Sequence, residues 1–244
     1  MGGRGSGLLL IAGDSLAGGL PHLSFPAHLE GMLEGWKVRA SSRDGDVLSR
    51  VGARMLRLAA LLQPDVVVLE GGGNDLLLPY LEKRGGGWAV LARLLRRGGN
   101  LPIEDEALFG RTLEGVLGAA ARLCPRVAVM NLTCLGEDLG SELNGRRAGY
   151  NRAIAEAAAA AGAELVDVAS ACDEALAEAP GASSYLMDDL SGSFLDTFRC
   201  LTPRAALRLS RNRGLHLTID GVHPNPRGAA LIAGTLARAL GETR

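Results

Sequence analysis

Lysine is almost missing from this chain. Lys37 and Lys83 are the only two among 244 residues, so arginine carries nearly all the positive charge. That imbalance is a codon or thermal bias rather than a functional signal. Net charge is scarce too, −1 at neutral pH, which argues against a general nucleic-acid or membrane-surface binder, because the chain as a whole would not draw phosphate or anionic lipid. Aromatic residues make up 4% of the chain, too few for an evident sugar-stacking platform. The four cysteines, Cys124, Cys134, Cys172 and Cys200, have no CxxC pairing and no clustering, which speaks against zinc or iron–sulfur ligation and for reduced, mostly buried thiols. No uncharged stretch reaches the roughly 18–20 residues that span a bilayer, so no integral membrane association is expected. The apolar run Leu8–Ala12 is too short for a signal-peptide core, and a cytoplasmic setting is expected. Met1–Gly7 reads as a flexible lead.

What the chain does contain is alternation. Short apolar runs alternate with longer segments of helical period, the pattern of a parallel sheet covered by helices on both faces. Strands are expected at Leu8–Gly13, Trp36–Ala40, Val66–Glu70, Val127–Asn131 and Leu165–Ala169. Helices are expected at Pro26–Glu34, Val47–Leu62, Glu104–Cys124, Arg146–Ala161 and Pro226–Leu240, with Asn144 or Asn151 capping the fourth. Leu78–Pro102 is a Gly- and Arg-rich stretch around an apolar cluster of Trp88, Leu91, Leu94 and Leu95. Ala171–Gly214 is a longer excursion. The whole chain, 1–244, is expected to form one domain, with a cap or flap inserted at about 171–214.

In a doubly wound sheet, ligands sit beyond the carboxyl ends of the strands. Gly13-Asp14-Ser15-Leu16, Asp44-Gly45-Asp46 and Gly73-Asn74-Asp75 follow the first three strands. Ser15 would be held at a strand end beside a helix N-terminus, where it is either a nucleophile or a helix cap. Asp220 and His223 stand three apart across Gly221, so carboxylate and imidazole meet within one turn. The pair suits a base with its orienting partner, and equally a surface turn or part of a metal set, although no third and fourth ligand are spaced nearby. Asn74 and Gly45 are either oxyanion donors or turn residues. Asp14 and Asp75 read as hydrogen-bonders of their turns.

Jointly these blocks resemble the SGNH hydrolases, the GDSL esterases and lipases. They stand as IAGDSL (Ile11 to Leu16), RDGD (Arg43 to Asp46), GGND (Gly72 to Asp75) and DGVHPN (Asp220 to Asn225). LGED (Leu135 to Asp138) and YNRAI (Tyr150 to Ile154) look like the family's connecting segments, and the likeness covers about residues 8–170 and 215–240. The resemblance implies a flavodoxin-like, three-layer α/β/α sandwich around a parallel five-stranded sheet, with no cofactor and no metal. It implies Ser15 as nucleophile and oxyanion donor, Gly45 and Asn74 completing the hole, His223 as base and Asp220 as its partner. Asp44 and Val47 beside Gly45 depart from the Ser and Thr often found there. Nothing in the resemblance explains Ala171–Gly214.

The activity so implied is hydrolysis of short-chain acyl or lipid-like esters, small molecules, through an acyl-enzyme. Tyr185, Phe194 and Phe198 are the candidate pocket residues, forming an apolar cap or else packing an extra helix. A carbohydrate O-deacetylase or an acyltransferase would use the same residues, and a non-catalytic binding protein is the reading from another class.

Overall fold

The computed structural model describes residues 7–179, 181 and 183–242. The expected flexible lead lies outside the described residues apart from Gly7, which opens the first strand. Five strands, β1 (Gly7–Gly13), β2 (Trp36–Ser42), β3 (Val66–Leu69), β4 (Arg126–Met130) and β5 (Glu164–Val166), form one sheet in the order β2-β1-β3-β4-β5. Every pairing is parallel, with Leu9 of β1 opposite Val38 on one side and Val66 on the other.

Alternation along the central strands feeds two cores. Leu10, Ala12, Val67, Leu69, Val127 and Val129 face one side, against α2 (Leu48–Leu62), α5 (Glu106–Ala121) and α6 (Glu142–Ala161). Leu9, Ile11, Val66, Val68, Ala128 and Met130 face the other, against α1 (Phe25–Glu30), α7 (Val168–Ala177) and α10 (Pro226–Glu242). The three-layer sandwich is therefore the observed fold. All four cysteines are free and buried within it.

Several boundaries differ from expectation for local reasons. The fifth strand stops at Val166, because the Asp167 carboxylate accepts the Ser170 N–H at 3.0 Å and starts α7. Helix α6 begins at Glu142, capped by Ser141, rather than at Arg146. Asn144 and Asn151 are not its caps. Their side chains reach back to the loop after β4, Asn144 to Leu135 and Gly136, Asn151 to Leu132. The stretch Leu78–Pro102 is mostly helical: α3 (Gly73–Arg84) runs straight into α4 (Gly86–Arg97). The excursion is shorter than expected, since α7 buries Cys172 and Leu176 against the sheet. What stands apart is α8 (Leu190–Arg199) and α9 (Pro203–Asn212).

Candidate active site

Four loops at the carboxyl end of the sheet converge. Ser15 opens a single 3-10 turn directly after β1, and the Asp14 side chain fixes that turn by accepting the Leu16 N–H at 3.0 Å. Asp220 Oδ1 accepts the backbone N–H groups of Val222 and His223, at 3.0 and 2.8 Å, which curls the loop before α10. The curl brings Asp220 Oδ2 to 2.7 Å from His223 Nδ1, and His223 Nε2 lies 3.0 Å from Ser15 Oγ. Gly221 makes this turn possible: its φ is +92° and a Cβ there would stand 2.6 Å from the Tyr185 carbonyl oxygen.

Asn74, the second residue of α3, is buried with its amide hydrogens on the Asp14 carboxylate and the Asp46 carbonyl, both at 3.0 Å. Gly45, at φ +75°, packs so closely on Leu95 of α4 that a Cβ would come within 2.9 Å of it. Ser15, Gly45, Asn74 and His223 all border one cavity of about 450 Å³. Its lining is largely apolar, with Leu77, Leu78 and Leu81 of α3, Leu91 and Leu95 of α4, and Phe194 of α8. Of the three aromatic residues expected there, only Phe194 borders the cavity. Tyr185 instead lies under the Arg213 guanidinium, 4.6 Å from ring centroid to carbon, and Phe198 faces solvent.

Charge in the site is uneven. Burial works against the His223 imidazolium, but the attraction and hydrogen bond of Asp220, helped by Asp14 and Asp44, carry its pKa up to about 9. Burial likewise opposes the Asp220 carboxylate, yet the His223 charge and hydrogen bonds hold it below its usual range. Asp14 is pushed up to about 6 by burial, partly offset by the Leu16 N–H and His223.

Several supporting residues carried no role in the sequence reading. Glu70, buried at the end of β3, accepts the Asp14 N–H at 2.9 Å, and its burial together with the neighbouring Asp14 charge pushes it well above the usual carboxylate range. Arg54 pairs with Asp46 and also donates to the Gly13 carbonyl. Glu137, within the LGED block, takes the backbone N–H groups of His216, Leu217 and Thr218 and the Thr218 hydroxyl, all within 2.9 Å. It thereby anchors the loop leading to Asp220. The available signal was a carboxylate closing an apolar run, as in Val66–Glu70, since such a group is buried only with partners. Asp75 does more than brace its own turn: it joins α2 to the loop before α5 through Leu48 N–H and Ile103 N–H, each at 2.8 Å. Among the described residues, no group of three or more His, Cys, Asp or Glu is placed to hold a metal ion. No described helix is long and apolar enough to cross a membrane.

The sequence matches the GDSL-like lipase/acylhydrolase family over residues 11–231. No curated protein matches it. Among solved structures, it resembles LAE5, an alpha/beta hydrolase enzyme from the metagenome of Lake Arreo, Spain, at 19% identity and TM-score 0.65, covering 96% of this chain and 95% of that one. Axe2, an acetylxylan esterase from Geobacillus stearothermophilus, is similar at 18% identity and TM-score 0.64, with 98% and 96% covered. The acetyl xylan esterase AlAXEase is similar at 19% identity and TM-score 0.62, with 96% and 99% covered. At these identities the likeness is one of fold.

Proposed function

The chain belongs to the GDSL-like lipase/acylhydrolase family, a carboxylic-ester hydrolase of SGNH type, and from that premise we propose that Ser15, His223 and Asp220 act as its catalytic triad on acyl esters. The carrying observation is the relay of 3.0 Å from Ser15 Oγ to His223 Nε2 and 2.7 Å from His223 Nδ1 to Asp220, which opens onto a leucine-walled cavity.

His223 takes the Ser15 proton as Oγ attacks the ester carbonyl, and the C–O bond to the alcohol breaks as His223 returns that proton to the leaving oxygen. Water, deprotonated by the same imidazole, then attacks the acyl-enzyme and frees the acid and Ser15. Asp220 keeps the ring in the tautomer that presents Nε2 to Ser15 and stabilises the imidazolium. The Ser15 and Gly45 backbone N–H groups and the Asn74 side chain serve as oxyanion donors, a role supported by their position around one cavity.

For the substrate, the apolar wall of α3 and α4 supports an acyl chain longer than acetyl, because a cavity of about 450 Å³ leaves most of that wall unused by a lone methyl. Ser193 and Thr197 of α8 also border the cavity, which suits a sugar hydroxyl and keeps a carbohydrate O-deacetylase, in line with the acetylxylan esterase Axe2, as the second reading. In either case α8 acts as a cap on the cavity.

The test is turnover of acetyl, butyryl and octanoyl p-nitrophenyl esters and of acetylated xylo-oligosaccharide by the parent and Ser15→Ala. Hydrolysis that peaks beyond acetyl and vanishes in the variant is expected. Near-parental turnover by Ser15→Ala overturns the triad, and selective deacetylation of the sugar favours the second reading. Ester exchange with an added alcohol would mark an acyltransferase.

A further inference from the structure

The outer surface of α8 and α9 combines exposed apolar side chains with exposed arginines. Phe194, Leu195 and Phe198 of α8 are 65%, 51% and 73% exposed, and Leu201 just beyond is 62% exposed. At 100° per residue the three α8 side chains fall within about 100° of arc, so they form one stripe. Helix α9 follows with Arg204, Arg208 and Arg211 exposed, on positions within about 60° of arc. These three side chains have no ion-pair or hydrogen-bond partner among the described residues. No acidic residue occurs from Thr197 to Ile219, while five arginines do. Asp188 and Asp189 lie at the far end of α8, where Asp189 caps the helix.

A stripe of exposed aromatic and aliphatic side chains is uncommon on a surface that meets only solvent, and the solvated guanidinium groups follow it on the next helix. Together they match one kind of partner, an apolar interior behind a negatively charged face. The patch is also continuous with the site, since Phe194 both borders the cavity and reaches solvent. The net charge of −1 does not oppose this, because over a Debye length a local cluster of three cations acts before the distant anions do.

We propose that the outer face of α8 and α9 docks on an anionic lipid surface, with Phe198, Leu195 and Leu201 entering the acyl region and Arg204, Arg208 and Arg211 contacting phosphates. Docking turns the cavity mouth toward esters dissolved in that surface. The delivery role rests on the esterase reading, whereas the binding does not.

Sedimentation of the intact protein with phosphatidylglycerol and with phosphatidylcholine vesicles tests this. Binding to the anionic vesicles is expected, with little to the neutral ones, and it falls as salt rises. Each arginine near an anionic surface is worth roughly fivefold, so Arg204→Gln/Arg208→Gln/Arg211→Gln weakens binding about 100-fold. Phe198→Ser/Leu201→Ser weakens it by about tenfold or more. Both variants keep parental turnover of a water-soluble butyryl ester, because none of these five residues borders the cavity. Absence of binding overturns the proposal, as does equal binding to both vesicle types. A dimer in light scattering that Phe198→Ser dissolves, with no vesicle binding, overturns it in favour of a second copy. Vesicle binding by a chain that hydrolyses no ester upholds the docking face and sinks the esterase reading alone.

Discussion

Asn74 and Asp14 are joined by a buried hydrogen bond of 3.0 Å, and the same Asp14 carboxylate also holds the Leu16 N–H beside Ser15. One buried anion thus sets the turn carrying Ser15 and the orientation of the amide across from it. Its second hydrogen lies on the Asp46 carbonyl, so both amide hydrogens are engaged, and donation to an oxyanion requires Asn74 to release one of these two bonds. On the proposed mechanism that exchange becomes favourable only as charge develops on the substrate oxygen, so the amide acts mainly in the transition state.

Asn74→Ala is therefore expected to lower kcat by about 10²–10³, or ~2.7–4 kcal/mol, with KM nearly unchanged. Steady-state kinetics on a butyryl ester decide it. A large rise in KM with kcat intact would assign Asn74 to ground-state binding.

The pH dependence follows from His223. Its pKa of about 9 leaves the imidazole protonated at neutral pH, and an imidazolium cannot accept the Ser15 proton. As pH rises through about 9 the ring becomes neutral, so kcat/KM climbs and then levels. Asp220→Asn removes the carboxylate that holds this value up, shifting the midpoint toward the ordinary histidine value of about 6.5. It also lowers kcat steeply, by about 10⁴ in the serine-protease template. A profile flat from about pH 6 to about pH 10 is incompatible with His223 as the base.

On the acyl-ester reading, the α4 wall is expected to set chain-length preference. Leu91→Trp fills part of the cavity from that wall and is expected to move the optimum from longer to shorter acyl esters. Each methylene excluded is worth about 0.8 kcal/mol, close to fourfold in kcat/KM. A profile superimposable on the parent's would place the acyl chain elsewhere.

Asp75 predicts a stability effect. Its two oxygens accept the Leu48 and Ile103 N–H groups, so Asp75→Ala leaves both donors without their acceptor. The loss should be about 2–6 kcal/mol in urea unfolding, at ~1–3 kcal/mol per orphaned group. A loss below about 1 kcal/mol would mean that water replaces the carboxylate there.

The parallel sheet and the four site blocks were legible because each has a local signature: apolar runs such as Val66–Leu69, and Gly-flanked polar residues at strand ends. Helices α3 and α4 were hidden by the glycines at 85–87 and by Pro79, which sits inside α3 although proline donates no backbone N–H. Helix α7 was hidden because Val166 and Val168 read as one strand, while Asp167 between them stops it through a side-chain bond. Roles that depend on distant partners left no trace in the local pattern. Glu137 meets its partners about 80 positions away, and Glu70 meets Asp14 from 56 positions away. Phe198 was grouped with Phe194 by composition, but the helix turns it outward.

Ser15 and His223 stand 208 positions apart, and the loop bearing His223 is anchored by Glu137 from the middle of the chain. On a ribosome adding ~5–20 residues per second, the serine is made roughly 10–40 s before its histidine. Throughout that interval the nascent chain carries the serine without its proposed base. On the proposed triad, an unfinished polypeptide has no complete relay, and hydrolysis begins only once synthesis has passed residue 223 and the two ends have docked.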